Sequence, residues 1–327
     1  MVSTALSHDS PPSAGRGAAE RTRSAAPRRR RGRPDREGLA GYAFLSPWIL
    51  GFLLLTMGPM LASLYLSFTD YNLFTAPEWV GLDNYRALFR DDQWLQSVRV
   101  TLVYVTVSVP LKLAGALAVA MLLVRPRRGQ GFYRSAFYAP SLLGASVSVA
   151  LVWRALFSDD AVVDRALSSV GIDTGGWVGN PDYALGLLIL LAVWQFGAPM
   201  VIFLAGLKQV PRELYEAADV DGAGRLRKFG SITLPMISPV LFFNLLLETV
   251  NAFQVFTSSF VVSNGTGGPA GSTLFYTLYL YQQGFTQFRM GYASAMAWML
   301  VLGAGLVAVL LFRLSRAWVY YSGDDGR

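Results

Sequence analysis

Cysteine is absent from this chain of 327 residues, and histidine occurs only once, as His8. Without cysteine the chain has no disulfide, no thiolate metal site and no thiol nucleophile. A single histidine in a polar tail also excludes histidine-based zinc sites and Ser-His-Asp catalysis. Charged residues are scarce at 15%, whereas hydrophobic residues make up 53% and the mean hydropathy is +0.38. This composition indicates an integral membrane protein.

Six apolar runs reach the length of about 20 residues that crosses a bilayer. Because the number of runs is even, both termini should lie on the same side of the membrane. The pattern predicts an all-α integral membrane fold with six transmembrane helices, at Tyr42–Phe68, Val100–Val124, Ala136–Ser158, Tyr183–Leu207, Val240–Val262 and Tyr292–Phe312.

The arginines and lysines predict the orientation. Most of the 28 basic residues fall in segments that face the cytoplasm if the amino terminus is cytoplasmic, which is the usual bias. Residues 1–38 are then a disordered basic cytoplasmic tail, residues 39–318 a six-span domain and residues 319–327 a second cytoplasmic tail. An arginine-rich tail could bind nucleic acid, but an orientation signal that contacts anionic membrane lipid is the simpler explanation, and no nucleic-acid partner is expected.

The longest internal cytoplasmic segment, residues 208–239, joins the fourth and fifth predicted spans. Glu213 and Glu216 lie where the positive end of a helix dipole favours acids. Gly222 can take the positive φ that ends a helix in a tight turn. A short basic segment, residues 225–229, follows the turn. We therefore expect a helix, a turn and a second short helix that dock another protein, with an ordinary amphipathic surface loop as the alternative.

The 208–239 loop resembles the cytoplasmic coupling loop of the permease subunits of bacterial ABC importers. The pattern is Glu-Ala-Ala (EAA), three residues, Gly, nine residues, then Ile-x-Leu-Pro. The matching positions are Glu216, Ala217, Ala218, Gly222, Ile232, Leu234 and Pro235. The resemblance implies that Glu216 and the Ala217–Ala218 face insert into a cleft of an ATPase subunit.

The likeness covers nearly all of the chain after the basic tail and resembles the maltose-transporter type of sugar permease. It is carried by FLSPWILGFLLLTMGPMLASLYLSFTDYNLF at 44–74, WVGLDNYRALF at 79–89, FQVF at 253–256, TGGP at 266–269 and GYASA at 291–295. Such a subunit implies a second permease subunit, ABC ATPase subunits and an extracytoplasmic sugar-binding protein that delivers carbohydrate, a sugar or an oligosaccharide. It also implies the cytoplasmic (plasma) membrane of a bacterium.

No G-x-x-x-x-G-K-[ST] phosphate loop occurs in the chain, and the glycines of residues 222–224 follow no predicted strand. We therefore expect a pore-forming subunit that is not an enzyme, has no cofactor or metal, and leaves ATP hydrolysis to a separate chain. The alternative is an ion-coupled secondary transporter of small polar solutes, a class that tends to show internal repeats and broken helices. A membrane enzyme is disfavoured, because the loops hold no D-D-x-x-D motif and no metal-ligand cluster.

Polar residues inside the spans are candidates for a substrate pathway, because a charge at the bilayer centre costs about 2.5–3.5 kcal/mol on insertion scales. Lys112 in the second span lies at a depth similar to that of Glu248 in the fifth, and we expect the two to pair, with two separate water-facing charges as the alternative. The fifth span predicts one continuous polar helical face, which either lines the pathway or packs against another helix. Its members are Asn244, Glu248, Asn251, Gln254 and Ser258.

A sugar pathway needs hydrogen-bonding groups for hydroxyls and aromatic faces for the apolar side of the ring. Packing and interface anchoring are the alternatives for its aromatic members. The Gly265–Gly271 segment, expected to be flexible and to face outward, is the predicted contact with the binding protein. The predicted pathway residues are Trp194, Gln195, Phe196, Glu248, Asn251, Phe253, Gln254 and Phe256.

Overall fold

A computed structural model describes residues 36–125, 128–144, 146–171 and 175–319. The predicted tails, 1–38 and 319–327, lie outside these ranges apart from their innermost residues. The described residues are mostly helical, with one antiparallel pairing of two short strands, Thr69–Asp70 (β1) and Glu78–Trp79 (β2). The predicted all-α class is confirmed.

The chain divides into two units, one up to Thr56 and the other from Met57 onward. The first unit contains helix α1, Arg36–Phe52, which begins before the predicted end of the tail at residue 38. A π-helical turn, Leu53–Met57, crosses the boundary between the units, and helix α2, Gly58–Leu66, begins the second.

The rest of the second unit consists of one long central helix and many shorter ones. Two further π-helical turns lie at Phe229–Thr233 and Gln282–Thr286. In chain order the helices are α3 Asp83–Leu88, α4 Asp92–Leu123, α5 Gln130–Leu143, α6 Val147–Phe157, α7 Val162–Ser168, α8 Pro181–Trp194, α9 Gly197–Leu207, α10 Arg212–Val220, α11 Arg225–Lys228, α12 Leu234–Met236, α13 Ser238–Phe253, α14 Thr257–Val262, α15 Tyr276–Tyr281 and α16 Met290–Ser315.

Three helices among the described residues are long and apolar enough to cross a membrane unaided: Gly41–Leu66, Asp92–Leu123 and Met290–Ser315. If each of three bent helix pairs is counted as one span, the number rises to as many as six. The first joins α5 to residues 147–168 at 96°, the second joins α8 to α9 at 42°, and the third joins residues 225–236 to α13 at 69°. The third and fourth predicted spans each contain one of these bends. The third bend, at Ile237, lies before the predicted fifth span, which is interrupted instead between α13 and α14.

Proline explains the break of the fourth span. A proline inside a helix removes one backbone hydrogen bond and pushes the chain away from the preceding turn. Pro199 lies in the first turn of α9, directly after the break between α8 and α9. Pro140 lies within α5, ahead of the break that follows Leu143, and does not account for that break. The fifth predicted span breaks between Phe253 and Thr257, a region with neither glycine nor proline.

Helix α4 is the central helix of the second unit. It contacts α8, α9, α13 and α15, and it buries residues along its whole length. Ala116 and Ala120 are completely buried, so neighbouring helices approach α4 closely there. As a result, the middle of α4, including Lys112, lies among other helices.

Candidate functional site

A cavity of about 450 Å³ lies among α4, α8, α13 and the residues that follow α13. This volume is in the range of small-molecule sites, about 300–1,000 Å³. Leu188, Leu191 and Phe256 give it apolar surface. Its polar lining consists of Tyr104, Ser108, Lys112, Gln195, Glu248, Asn251, Gln254, Thr257 and Ser258. The cavity therefore offers both hydrogen-bonding groups and an aromatic face to a ligand.

Lys112 and Glu248 form an ion pair in the cavity wall. Lys112 Nζ lies 2.7 Å from Glu248 Oε2, and the two side chains are only 16% and 12% exposed. The predicted contact between α4 and α13 is confirmed. A charge removed from water is tolerated when a partner neutralises it. The two charges balance each other, and no other described residue that lines the cavity carries a full charge.

Hydrogen bonds link the break in the third span to the break in the fourth span, beside the cavity. The Ser141 hydroxyl donates to the Gln195 carbonyl oxygen at 2.9 Å and accepts from the Ala198 N–H at 3.0 Å. The Gln195 carbonyl lacks its usual helical donor, because Pro199 four residues later has no N–H. In return, Gln195 Nε2 donates to the Gly144 carbonyl oxygen at 3.1 Å. These bonds fix Gln195 at the cavity wall.

Two glycines allow this close approach. A Cβ on Gly144 would lie 2.2 Å from Gln195 Cδ, and one on Gly197 would lie 2.4 Å from the Phe137 carbonyl oxygen. A larger residue at Gly144 would displace the Gln195 side chain, whereas one at Gly197 would press against the backbone of α5 and force the two breaks apart.

The break after α13 brings further polar groups to the cavity. Helix α13 ends at Phe253, and the Thr277 hydroxyl donates to the freed Val255 carbonyl. Gln254 and Ser258 both line the cavity, and neither residue belongs to α13.

The predicted polar face of the fifth span therefore needs correction. Glu248 and Asn251 belong to α13, whereas Gln254 and Ser258 lie beyond its end. Asn244 is 1% exposed and donates to the Val240 carbonyl of its own helix at 3.1 Å. Helical spacing thus predicted which residues are polar and inward, but not the change of backbone direction that sets four of them around one cavity.

Five of the eight predicted pathway residues line the cavity: Gln195, Glu248, Asn251, Gln254 and Phe256. The other three lie elsewhere. The ring centre of Trp194 lies 5.8 Å from that of Trp153, and the ring centre of Phe196 lies 6.0 Å from that of Phe137. Phe253 is buried beside a separate apolar crevice. A role in transport stays a prediction for all eight.

Among the polar lining residues, the sequence reasoning missed Thr257, which follows the break after α13, and two residues of α4, Tyr104 and Ser108. Both precede Lys112 at steps of four along α4, so the three side chains share one helical face. That spacing was a usable signal, because Lys112 had already marked the face as inward.

The 208–239 loop folds as a helix, a tight turn and a second helix, as predicted. Gly222 has φ +72°, the positive value expected. Its N–H donates to the Asp219 carbonyl at 3.1 Å, and the Ala223 N–H donates to the Ala218 carbonyl at 2.8 Å. This pair of bonds is the Schellman arrangement that ends a helix with a glycine.

Side-chain contacts hold the two parts of the loop together. The hydroxyls of Tyr215 and Thr233 lie 2.9 Å apart, and Lys228 Nζ contacts Asp219 Oδ1. Val220 and Leu226 are 89% and 87% exposed. Among the motif residues, the exposed ones are Glu216, Ala217, Gly222 and Leu234, and the half-buried ones are Ala218, Ile232 and Pro235.

The flexibility expected for Gly265–Gly271 stays a prediction, although hydrogen bonds to neighbouring residues hold several of its backbone groups. Gln282 Nε2 donates to the Gly265 carbonyl at 2.6 Å, and the Gly267 N–H donates to Ser263 Oγ at 3.0 Å. The Thr273 hydroxyl donates to the Gly268 carbonyl at 2.8 Å. The segment is held by its neighbours, and its contact with a binding protein stays a prediction.

Known proteins resemble this chain over most of its length. Residues 85–320 match the family described as "Binding-protein-dependent transport system inner membrane component". The "Probable ABC transporter permease protein YesP" of Bacillus subtilis (strain 168) is 51% identical over 292 residues, which cover 89% of this chain and 94% of that protein. The "Lactose transport system permease protein LacF" of Rhizobium radiobacter is 31% identical and covers 84% of this chain and 94% of its own length.

A solved structure shares the fold. A chain in the crystal structure of a bacterial alginate ABC transporter, in complex with an alginate pentasaccharide-bound periplasmic protein, superposes with a TM-score of 0.74. The match covers 86% of this chain and 95% of that chain at 21% identity. At this identity the likeness shows the common architecture alone.

Proposed function

Since the chain belongs to the family of binding-protein-dependent transport system inner membrane components, we propose that it is the permease subunit of an ATP-driven ABC importer for carbohydrate, a sugar or an oligosaccharide. The cavity between the interrupted spans carries the proposal, because its lining combines hydrogen-bonding groups with the Phe256 ring. The relative named for lactose transport supports this substrate class.

The proposed partners are a second permease subunit, two ABC ATPase subunits and an extracytoplasmic binding protein. Glu216 and the Ala217–Ala218 face enter a cleft of the ATPase, which hydrolyses ATP in place of this chain. The exposed aliphatic side chains of Val220 and Leu226 support a protein contact at this loop, because large apolar groups left in water mark interaction sites.

We also propose that both termini and the 208–239 loop face the cytoplasm of a bacterial cell, with the chain in the plasma membrane. The bias of arginine and lysine toward these segments supports this orientation. The first loop, with β1, β2 and α3, then lies on the outer side.

An ion-coupled secondary carrier is the competing function. Broken helices occur in that class too, so the breaks do not separate the two. The family match does, because it concerns components of binding-protein-dependent systems.

The test is reconstitution of the chain with its candidate ATPase, second permease subunit and binding protein in lipid nanodiscs. We expect ATP turnover to rise when sugar-loaded binding protein is added and to stay at the basal level with sugar alone. A matched complex that carries Glu216→Lys should assemble without this response. If the chain instead transports sugar alone in proteoliposomes under an ion gradient, the importer assignment is wrong.

A further inference from the structure

A second polar pocket, of about 500 Å³, lies where α4 and α16 begin. We call it the outer pocket, because these helix ends face outward in the proposed orientation. Gln93, in its wall, precedes Tyr104 of the cavity by about 16 Å along α4, at about 1.5 Å per residue. The outer pocket is therefore separate from the cavity and nearer to the outer surface.

The Asp91 carboxylate forms one wall of the outer pocket. Its Oδ2 accepts hydrogen bonds from the hydroxyls of Tyr279 and Tyr292, both at 2.6 Å. Its Oδ1 accepts from the N–H groups of Gln93 at 3.0 Å and Trp94 at 3.3 Å. Burial alone would raise the pKa of Asp91, but these hydrogen bonds outweigh it and lower the pKa below its usual value. The carboxylate is thus ionised. Both of its oxygens already accept hydrogen bonds from this chain, and these bonds fix the two tyrosine side chains.

Arg289 is held in position at the rim of the outer pocket. Its Nη1 donates to Gln283 Oε1 at 3.1 Å, and its Cζ lies 4.4 Å from the centre of the Tyr292 ring. Gln283 and Tyr292 are only 2% and 3% exposed. An exposed guanidinium is therefore fixed by two buried side chains, which is unusual for a surface arginine.

Two positive charges at the outer pocket lack an acidic partner. Neither Arg289 nor Arg90 forms an ion pair with any described residue. Among the described residues that line the outer pocket, Arg90 and Arg289 outnumber the Asp91 carboxylate by one, so the lining has a net positive charge. It therefore attracts an anionic group from another molecule.

We propose that the outer pocket binds an aspartate or glutamate side chain of the extracytoplasmic binding protein. A fixed guanidinium holds a carboxylate through two parallel hydrogen bonds and loses little side-chain freedom on binding. Arginines in such settings are frequent anchors of protein interfaces. This inference rests on the proposed function, since it presumes that a binding protein docks on this face.

A protein carboxylate fits the outer pocket better than the phosphate of an anionic lipid, the other anionic group expected near the membrane surface. Among the described residues that line the outer pocket, Ala87 is the only aliphatic one. A lipid would find no surface for its acyl chains there, whereas an acidic side chain that reaches in from above needs none.

Arg86 provides a matched control. It lies on α3 near the outer pocket, but its Nη1 is 2.9 Å from Asp83 Oδ1, so its charge is already neutralised. Its side chain is 70% exposed. Reversing Arg86 changes the net charge of the outer face as much as reversing Arg289 does, without touching the outer pocket.

The experiment measures the Kd of sugar-loaded binding protein for the assembled importer by surface plasmon resonance, in nanodiscs of phosphatidylcholine alone and with added phosphatidylglycerol. We expect Arg289→Glu to weaken binding at least about tenfold in both lipids. Arg289→Lys should weaken it less, and Arg86→Glu should change it by less than about twofold. Added salt should weaken the wild type more than Arg289→Glu. Basal ATP turnover without binding protein confirms assembly of each variant.

Wild-type affinity in Arg289→Glu would overturn the proposal. So would an unchanged Kd together with loss of co-purified phosphatidylglycerol, which would assign the outer pocket to lipid. If Arg289→Glu does not assemble, Arg289→Lys and Arg90→Glu decide the matter in the same way, and wild-type affinity in both would overturn it. Failure of the wild type to bind or respond to any binding protein would count against the proposed function itself, which is a different result.

Discussion

The cavity and the 208–239 loop differ in whether their polar and apolar side chains have contact partners within this chain. In the cavity, Lys112 and Glu248 neutralise each other, and Gln195 is hydrogen-bonded to the neighbouring helix break. In the loop, Glu216 is exposed and two aliphatic side chains, Val220 and Leu226, lie almost fully in water. The cavity is built by contacts within this chain, whereas the loop presents a surface that this chain does not cover. We therefore propose that substrate contact and coupling to ATP hydrolysis belong to separate parts of the molecule.

The substitution with the largest expected effect disrupts the 208–239 loop and leaves the cavity intact. Glu216→Lys should lower sugar uptake more than tenfold with normal membrane insertion, because it reverses the exposed charge of the proposed docking face. Glu213→Lys, on the same helix but outside the motif, is the control and should retain most of the uptake. Radiolabelled sugar uptake in cells, with membrane levels by immunoblot, measures both.

Gly222→Asp tests the turn of the same loop. A side chain at φ +72° costs about 1–2 kcal/mol, and no neighbouring atom lies within 4 Å to add a clash. We expect the helix to lose its stop and uptake to fail while the protein stays in the membrane. Normal uptake in both Glu216→Lys and Gly222→Asp would remove the coupling role of the loop.

The substitution with the next largest expected effect disrupts the cavity and leaves the 208–239 loop unchanged. Glu248→Gln leaves the Lys112 charge without a partner, and loss of one member of a buried pair costs about 3–5 kcal/mol. Thermal unfolding of the purified complex should show this loss, and the exchange Lys112→Glu with Glu248→Lys should recover most of it. Asp83→Asn, which breaks the exposed pair with Arg86, should cost less than about 1 kcal/mol. A charge exchange that recovers nothing would show that the pair is not the source of the stability.

A smaller effect concerns the joined breaks beside the cavity. Ser141→Ala leaves the Gln195 carbonyl and the Ala198 N–H without their partner, which costs about 1–3 kcal/mol. Ser135→Ala, at an exposed position of the same helix, is the matched control and should be neutral. Equal thermal midpoints for the two variants would mean that water or lipid replaces the Ser141 hydroxyl.

The smallest effect separates lining residues from their neighbours. Asn251→Ala and Gln254→Ala each remove a hydrogen-bonding group of about 0.5–1.5 kcal/mol and should raise the KM of uptake about two- to tenfold. Phe253→Ala lies between them in sequence but outside the cavity, so it should lower stability and leave KM unchanged. A larger KM change for Phe253→Ala than for its neighbours would contradict the cavity lining.

The two regions also differ in how far the sequence predicted them. The 208–239 loop depends on residues close together in the chain, so the Gly222 turn and the flanking helices followed from local pattern. The cavity depends on contacts between distant residues, such as the bond between Ser141 and Gln195 across 54 positions. Pro199 was a visible signal for the break of the fourth span. The break after Phe253 has no such signal, because its freed Val255 carbonyl is satisfied by a residue 22 positions later.

The central claim is that the 208–239 loop docks an ATPase, and single-cysteine cross-linking tests it most directly. Because the chain has no native cysteine, Ala217→Cys introduces one thiol on the proposed docking face. As a control, Thr75→Cys introduces one on the loop between β1 and β2, which lies on the outer side in the proposed orientation. After labelling with a thiol-specific photo-cross-linker in the assembled importer, we predict an adduct with the ATPase from position 217 and none from position 75. An active complex in which position 217 gives no ATPase adduct would contradict the claim.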